Sequence, residues 1–279
     1  MVFLNFFMKK DFFNIRLDVT RKKEVLEVCR SFFAGNNIPK TIFFLNAHCF
    51  NIAQKNPEYL KAINASDLLL NDGVGIKLAS LISGVSLKEN LNGTDLIPEI
   101  LKVATNENRK VFFLGGKEGV SDKAAIKAAR AIPGLEVAGC LSGYFTSEEE
   151  AGIIQEINHS KAGLLILGMG VPRQELWTVR NLDSLDSVKI IIAGGAILDF
   201  LSGSIKRAPI WMRRMQMEWL YRFYLEPRRM WSRYVTGAFL FFYHLIRLKA
   251  APKSNPGKSG SKNEPGRLKD SEPPINPAS

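Results

Sequence analysis

Six short runs of aliphatic, β-branched and aromatic residues punctuate the chain, at 41–46, 67–71, 110–115, 135–139, 163–168 and 189–194. Around them lie stretches in which apolar residues return at helical spacing, predicting helices at 21–33, 49–64, 75–83, 95–107, 120–131, 147–158 and 173–182. Continuous rather than alternating apolar runs suit strands covered on both faces. Strands that alternate with helices are the pattern of parallel strands joined by crossover helices. Thr94 stands ahead of one helix as a start signal, and Thr146 and Ser147 lead into Glu148, Glu149 and Glu150, acidic side chains that favour a helix N-terminus. The prediction is an α/β fold, a Rossmann-like three-layer domain with a mostly parallel sheet over 15–203, behind an N-terminal extension at 1–14.

The texture changes after Asp199. Lys206, Arg207, Arg213, Arg214, Arg222, Arg228, Arg229 and Arg233 face only Glu218 and Glu226, and Trp211, Trp219, Tyr221, Phe223, Tyr224, Trp231 and Tyr234 are interleaved with them. Residues 204–249 are therefore expected to form a basic, aromatic, helical appendage. Its apolar stretch at 235–248 carries His244 and Arg247 and falls short of the roughly 20 residues of a spanning helix, so it should lie on a membrane, on the core or on a second copy of the chain in a homo-oligomer. From 250 to 279 Pro, Ser, Lys, Asn and Gly dominate, and a disordered tail is expected. At the other end, Lys9, Lys10 and Asp11 interrupt an aromatic segment and argue against a signal peptide.

Composition narrows the partners. With 46% hydrophobic residues the 279-residue chain builds a real core, and its net charge of +11 calls for a polyanionic partner: nucleic acid, an anionic membrane or a phosphate-bearing substrate. Cys29, Cys49 and Cys140 are odd in number and far apart, so they signal no disulfide framework, and His48, His159 and His244 lack metal-ligand spacing. No metal and no cofactor is assigned.

In an open parallel sheet, ligands bind beyond the carboxyl ends of the strands. Those positions hold Asn46 and His48, Asp72 and Gly73, Gly115 and Gly116, Gly168 to Gln174 through Gly170 and Arg173, and Gly194 and Gly195. Glycine pairs there let backbone approach a ligand and leave helix N-terminal amides for phosphate oxygens, though each pair alone could merely serve a tight turn. No G-x-G-x-x-G fingerprint or Walker lysine is present, which disfavours a nicotinamide dehydrogenase or a P-loop NTPase. Asp72, placed to project into the cleft, is a candidate general base; the alternative is a helix N-cap. Asp95 and Asp199 read as structural caps. Arg173 and Gln174 open a helix behind Pro172, where they can reach a phosphate or sugar.

Taken in order, Asn71-Asp72-Gly73-Val74-Gly75, Asn92-Gly93-Thr94-Asp95-Leu96, Phe113-Leu114-Gly115-Gly116, Gly168 to Trp177, Ala193 to Ala196 with Asp199-Phe200, Lys206-Arg207-Ala208-Pro209, and Glu218 to Arg222 with Glu226-Pro227-Arg228-Arg229 resemble the WecG/TagA/CpsF glycosyltransferases over about 15–235. The resemblance implies an inverting enzyme that needs no metal and moves N-acetylmannosamine, its uronic acid or a related sugar from a UDP donor to a polyprenyl-diphosphate-linked saccharide. It implies Asp72 as the base, and Asn46 and Gln174 as polar pocket residues. It places Arg222, Arg228 and Arg229, with Arg207 and Arg233, in an appendage that closes over the site and meets the lipid diphosphate. The implied location is peripheral, on the cytoplasmic face of the bacterial inner membrane. Two positions depart from the family pattern: Phe44 where many members have Thr, and Asn90 where many have Arg. These changes look like a branch devoted to exopolysaccharide assembly. The rival reading is a nucleic-acid-binding protein, since arginines among aromatics also suit phosphates and stacked bases. It leaves Asp72 and the glycine-rich strand ends unexplained, so no nucleic acid is expected.

Overall fold

A computed structural model describes residues 8–35, 38–231 and 235–250. Six strands, β3 (Lys40–Leu45), β4 (Leu68–Asn71), β5 (Val111–Gly115), β6 (Val137–Leu141), β7 (Leu164–Gly168) and β8 (Ile190–Ala193), form one sheet in the order β4-β3-β8-β7-β5-β6. Every pairing is parallel. All six expected strands are present, and the sheet is wholly parallel. Its strands are buried apart from half-buried Lys40 at the start of β3, Gly168 at the end of β7 and the edge strand β6, which is half-buried throughout. Alternate side chains feed two faces: Ile42, Phe113, Ile166 and Ile192 meet α1 (Lys22–Ala34) and α5 (Gly93–Asn106), while Phe112, Leu165 and Ile191 meet Trp177 of α8 (Arg173–Asn181). These are the three layers.

Residues 8–19, to which the apolar runs assigned no element, form an antiparallel hairpin of β1 (Met8–Phe12) and β2 (Ile15–Val19). The signal was a period of two, with Ile15, Leu17 and Val19 inward and Arg16 outward. The buried Asp18 carboxylate accepts from Lys9 Nζ at 2.9 Å and from the Leu69 N–H at 2.8 Å, so the hairpin is fastened to edge strand β4. An edge covered in this way offers no template for strand addition. The helix expected at 49–64 is two helices, α2 (Ala47–Ala53) and α3 (Pro57–Asn64). Asn56 before Pro57 is extended, at φ −123°, because the proline ring crowds a helical neighbour, and its Oδ1 then caps α3 by accepting from the Tyr59 N–H at 3.0 Å. Likewise Asn92, not Thr94, caps α5: its Oδ1 accepts from the Asp95 N–H at 2.9 Å.

Beyond α9 (Ile197–Leu201) the appendage is helical, with α10 (Ile210–Arg214), α11 (Glu218–Leu225), α12 (Pro227–Trp231) and α13 (Gly237–Ala250). The last returns to the core. Phe241 and Leu245 are buried beside Phe50, whose ring meets Phe241 edge-on at 5.2 Å, and Asn51 Nδ2 donates to the Gly237 carbonyl at 2.8 Å. Phe239, Phe242, Tyr243 and Ile246 on the same helix stay exposed. No helix among the described residues is long and apolar enough to cross a membrane. The tail expected at 250–279 lies, past Ala250, outside the described residues, as do residues 1–7 of the N-terminal extension.

Candidate active site

Because all six strands run the same way, their carboxyl ends share one rim. A cleft of about 1030 Å³ opens there, lined by residues that follow every strand: Asn46, Asp72, Gly116, Gly143, Met169 and Gly194 are one from each. The appendage supplies the remaining wall, with Arg213, Trp219, Arg222, Ala238, Phe241 and Phe242.

Asp72 sits half-buried in this lining, one residue past β4, with its N–H bound to the Leu45 carbonyl at 2.8 Å. The N-cap of the following helix, α4 (Val74–Ser83), is Gly73 at φ +86°, a conformation that other residues adopt at a cost. Asn90 Oδ1 accepts from the Gly73 N–H at 2.9 Å and so pins the loop that carries Asp72. In the sequence Asn90 stands out only as a departure from the family pattern. Asn90→Ala is expected to slow turnover about fivefold, the equivalent of one ordinary hydrogen bond of about 1 kcal/mol, with little change in the unfolding temperature. Steady-state kinetics and thermal unfolding check this. Phe44, the other departure, lines the cleft and lays its ring edge where a Cβ on Gly93 would meet it at 3.5 Å.

Both amide side chains are oriented by backbone partners. Asn46 caps α2, its Oδ1 accepting from the His48 and Cys49 N–H groups at 3.0 Å each. Gln174, buried at the start of α8, accepts from the Gly195 N–H through Oε1 at 3.1 Å and donates through Nε2 to Glu175 Oε1 at 2.8 Å. With both oxygens engaged, Asn46 presents its amide nitrogen for a ligand, and Gln174 keeps one N–H beyond the one given to Glu175. His48 lies in the same lining.

The glycines divide by role. Gly115 does not line the cleft; at φ +152° its Cβ would stand 2.5 Å from the Gly168 backbone, so its place is a close approach of two strand ends. Gly116, Gly168, Gly170, Gly194 and Gly195 do line it. The Gly116 and Gly194 N–H groups are bound to the Gly168 and Leu167 carbonyls at 3.0 and 2.8 Å, and that of Gly195 to Gln174. None of the three is a waiting amide: a Cβ on Gly116 would meet Val120 at 2.6 Å and one on Gly194 would meet Ile197 at 2.5 Å, so both serve close packing, while Gly195 opens on space at φ +60°. Arg173, also in the lining, donates to the Phe145 carbonyl at 3.0 Å and lies 4.5 Å over the Phe145 ring.

Among the arginines of the appendage the structure brings Arg222 to the cleft, its guanidinium 4.3 Å above the Phe200 ring, and adds Arg213, which sequence reading had not singled out. Arg207 lies outside the lining. It pairs with Asp95 at 2.8 Å and Glu218 at 3.5 Å, joining α5 to α11. Burial alone would raise the Asp95 carboxyl, but hydrogen bonds from Arg207 and Asn92 and the charges of Arg207 and Arg213 outweigh it and hold that group below its usual range. Arg228 stands exposed on α12 outside the lining, Arg229 lies on the same helix, and Arg233 falls outside the described residues. Among the described residues no group of three or more His, Cys, Asp or Glu side chains is placed to hold a metal ion.

The family model described as "Glycosyl transferase WecG/TagA/CpsF family" matches residues 10–255. The chain belongs to this family. As a WecG/TagA/CpsF protein it is a glycosyltransferase. Among its relatives is a Staphylococcus aureus (strain MRSA252) protein, 30% identical over 243 residues, which cover 86% of this chain and 93% of the relative. A Bacillus subtilis (strain 168) protein is 28% identical over 201 residues, 72% of this chain and 77% of the relative. Both are named N-acetylglucosaminyldiphosphoundecaprenol N-acetyl-beta-D-mannosaminyltransferase.

Proposed function

We propose that this glycosyltransferase transfers N-acetylmannosamine, its uronic acid or a closely related sugar from a UDP donor, with inversion and without a metal ion, to a polyprenyl-diphosphate-linked saccharide of the N-acetylglucosaminyl-diphosphoundecaprenol type. The observation that carries the reading is the convergence of Asp72, Asn46, Gln174 and Arg222 on one cleft whose outer wall, made by Leu78, Ala238, Phe241 and Phe242, is apolar. A polar floor suits a sugar and a diphosphate, and an apolar wall suits the first prenyl units. In the reaction Asp72 accepts the proton of the acceptor hydroxyl as that oxygen bonds to the anomeric carbon. The bond from that carbon to the diphosphate oxygen breaks, and UDP leaves with the electron pair. Arg222, Arg213 and the amide nitrogens of Asn46 and Gln174 face the growing negative charge, where one well-placed donor is worth on the order of 3 kcal/mol.

The same reading puts the enzyme on the cytoplasmic face of the inner membrane as a peripheral protein. Trp211, Trp219, Tyr224, Trp231, Phe242 and Ile246 are exposed on the appendage beside its basic residues, a composition suited to an anionic lipid surface. Purified protein incubated with a panel of UDP-sugars and a short-chain prenyl-diphosphate N-acetylglucosamine, read by mass, is expected to form one extended product, undiminished by EDTA. Absence of product with every UDP-sugar would sink the donor assignment, and loss with EDTA would sink metal independence.

A further inference from the structure

Of the carboxyl groups in the cleft lining that have no part in the reaction as written, one is enclosed. Glu175, the third residue of α8, lines the cleft yet is only 1% exposed. Its Oε1 accepts from Gln174 Nε2 at 2.8 Å, while its Oε2, sealed from solvent, meets no hydrogen-bond partner among the described residues. The Gln174 backbone is held as well, its N–H bound to the Gly170 carbonyl at 3.0 Å.

The chemistry of these contacts fixes the amide without ambiguity. The Gly195 N–H can only donate, so the Gln174 oxygen must face it, and the Gln174 nitrogen must then face an acceptor. Glu175 Oε1 is that acceptor. Were the carbonyl replaced by a methyl group, the buried Gln174 N–H would lose its partner, and the amide could turn, releasing Gly195 at φ +60° in the loop after β8.

We propose that Glu175 is a positioning residue that locks the Gln174 amide, and through it the Gly195 turn, into the shape that receives the sugar donor. The inference rests on the donor reading given above. It requires an acceptor oxygen at this position and no charge. Consistent with that, burial pushes the Glu175 carboxyl up to about 7, although the Gln174 side chain and a backbone N–H pull it down. The titratable groups beside it are Tyr59 of α3 and, next to Tyr59, Cys49 of α2; burial drives the Tyr59 phenol upward, so it stays neutral. Below about 7 the Glu175 acid is uncharged, keeps Oε1 as an acceptor and puts no negative charge beside a donor diphosphate.

Two variants test the idea. Glu175→Gln keeps the acceptor oxygen and removes the ionisable group, so kcat and donor KM are expected within about threefold of wild type. Glu175→Ala is expected to raise donor KM about tenfold, with a smaller change in kcat, as for loss of a buried hydrogen bond that shapes ground-state binding. Equal damage in both variants, or a normal Glu175→Ala enzyme, overturns the proposal. A donor-independent readout accompanies the kinetics. A carboxyl raised in the folded state stabilises the fold below its unfolded value of 4.5 and loses that contribution as pH climbs to about 7. The unfolding free energy of wild type, relative to Glu175→Gln, should therefore fall across this window and level off above it. A constant difference removes the uncharged acid and with it the proposal, even if Glu175→Ala does not fold. If wild type turns over no UDP-sugar while the stability difference behaves as stated, the donor reading fails and the lock on Gln174 stands.

Discussion

Asp72→Asn is expected to lower sugar transfer by at least about a hundredfold while leaving UDP binding within a few-fold of wild type. The amide matches the carboxylate in shape, and two backbone contacts that hold the loop survive the change: the Asp72 N–H bonds to the Leu45 carbonyl at 2.8 Å and the Gly73 N–H to Asn90 at 2.9 Å. What the substitution removes is the ability to accept a proton from the incoming hydroxyl, a contribution of roughly 10²–10⁴ in rate. Transfer measured under saturating acceptor, beside UDP affinity by calorimetry, separates the two effects. Turnover within a few-fold of wild type would strike Asp72 from the mechanism.

A chain ending at Gly203 is expected to lose transfer altogether and to lose recovery with anionic vesicles, while keeping the circular dichroism of a mixed α/β domain. The sheet and its covering helices precede that point, but Arg213, Trp219, Arg222, Phe241 and Phe242 of the cleft wall follow it. The truncated core should also be less stable. Phe241 and Leu245, 2% and 0% exposed, leave the cluster around Phe50, and each buried side chain of this size contributes about 1.5–3 kcal/mol. An active truncated protein would refute the role given to the appendage.

The sheet was legible because strands buried on both faces are written as unbroken apolar runs, and the post-strand positions followed from it. Asp72, Asn46 and Gln174 could be singled out for that reason alone. The hairpin at 8–19 escaped because charged Lys9, Asp11, Arg16 and Asp18 dilute its apolar content, although the alternation of Ile15, Leu17 and Val19 carried it. The break at Asn56-Pro57 was likewise written in the chain but outweighed by the apolar spacing on either side. Other features are set by tertiary neighbours that local pattern cannot name. Asn90 reaches Gly73 across 17 positions, and Arg207 is drawn to Asp95 and Glu218 from a run of arginines that look alike in sequence. Glu175 gave no outward sign, since a Glu in the first turn of a helix is ordinarily solvated and here is enclosed.

Phe12 near the start of the chain and Phe241 near its end both stack edge-on against Phe50, at ring distances of 6.0 and 5.2 Å. Such contacts between far-separated residues carry a large loop-closure entropy and form late. A nascent polypeptide therefore cannot close the cluster around Phe50 until residues 241–245 have left the ribosome, and the cleft wall carried by that same helix is completed with it.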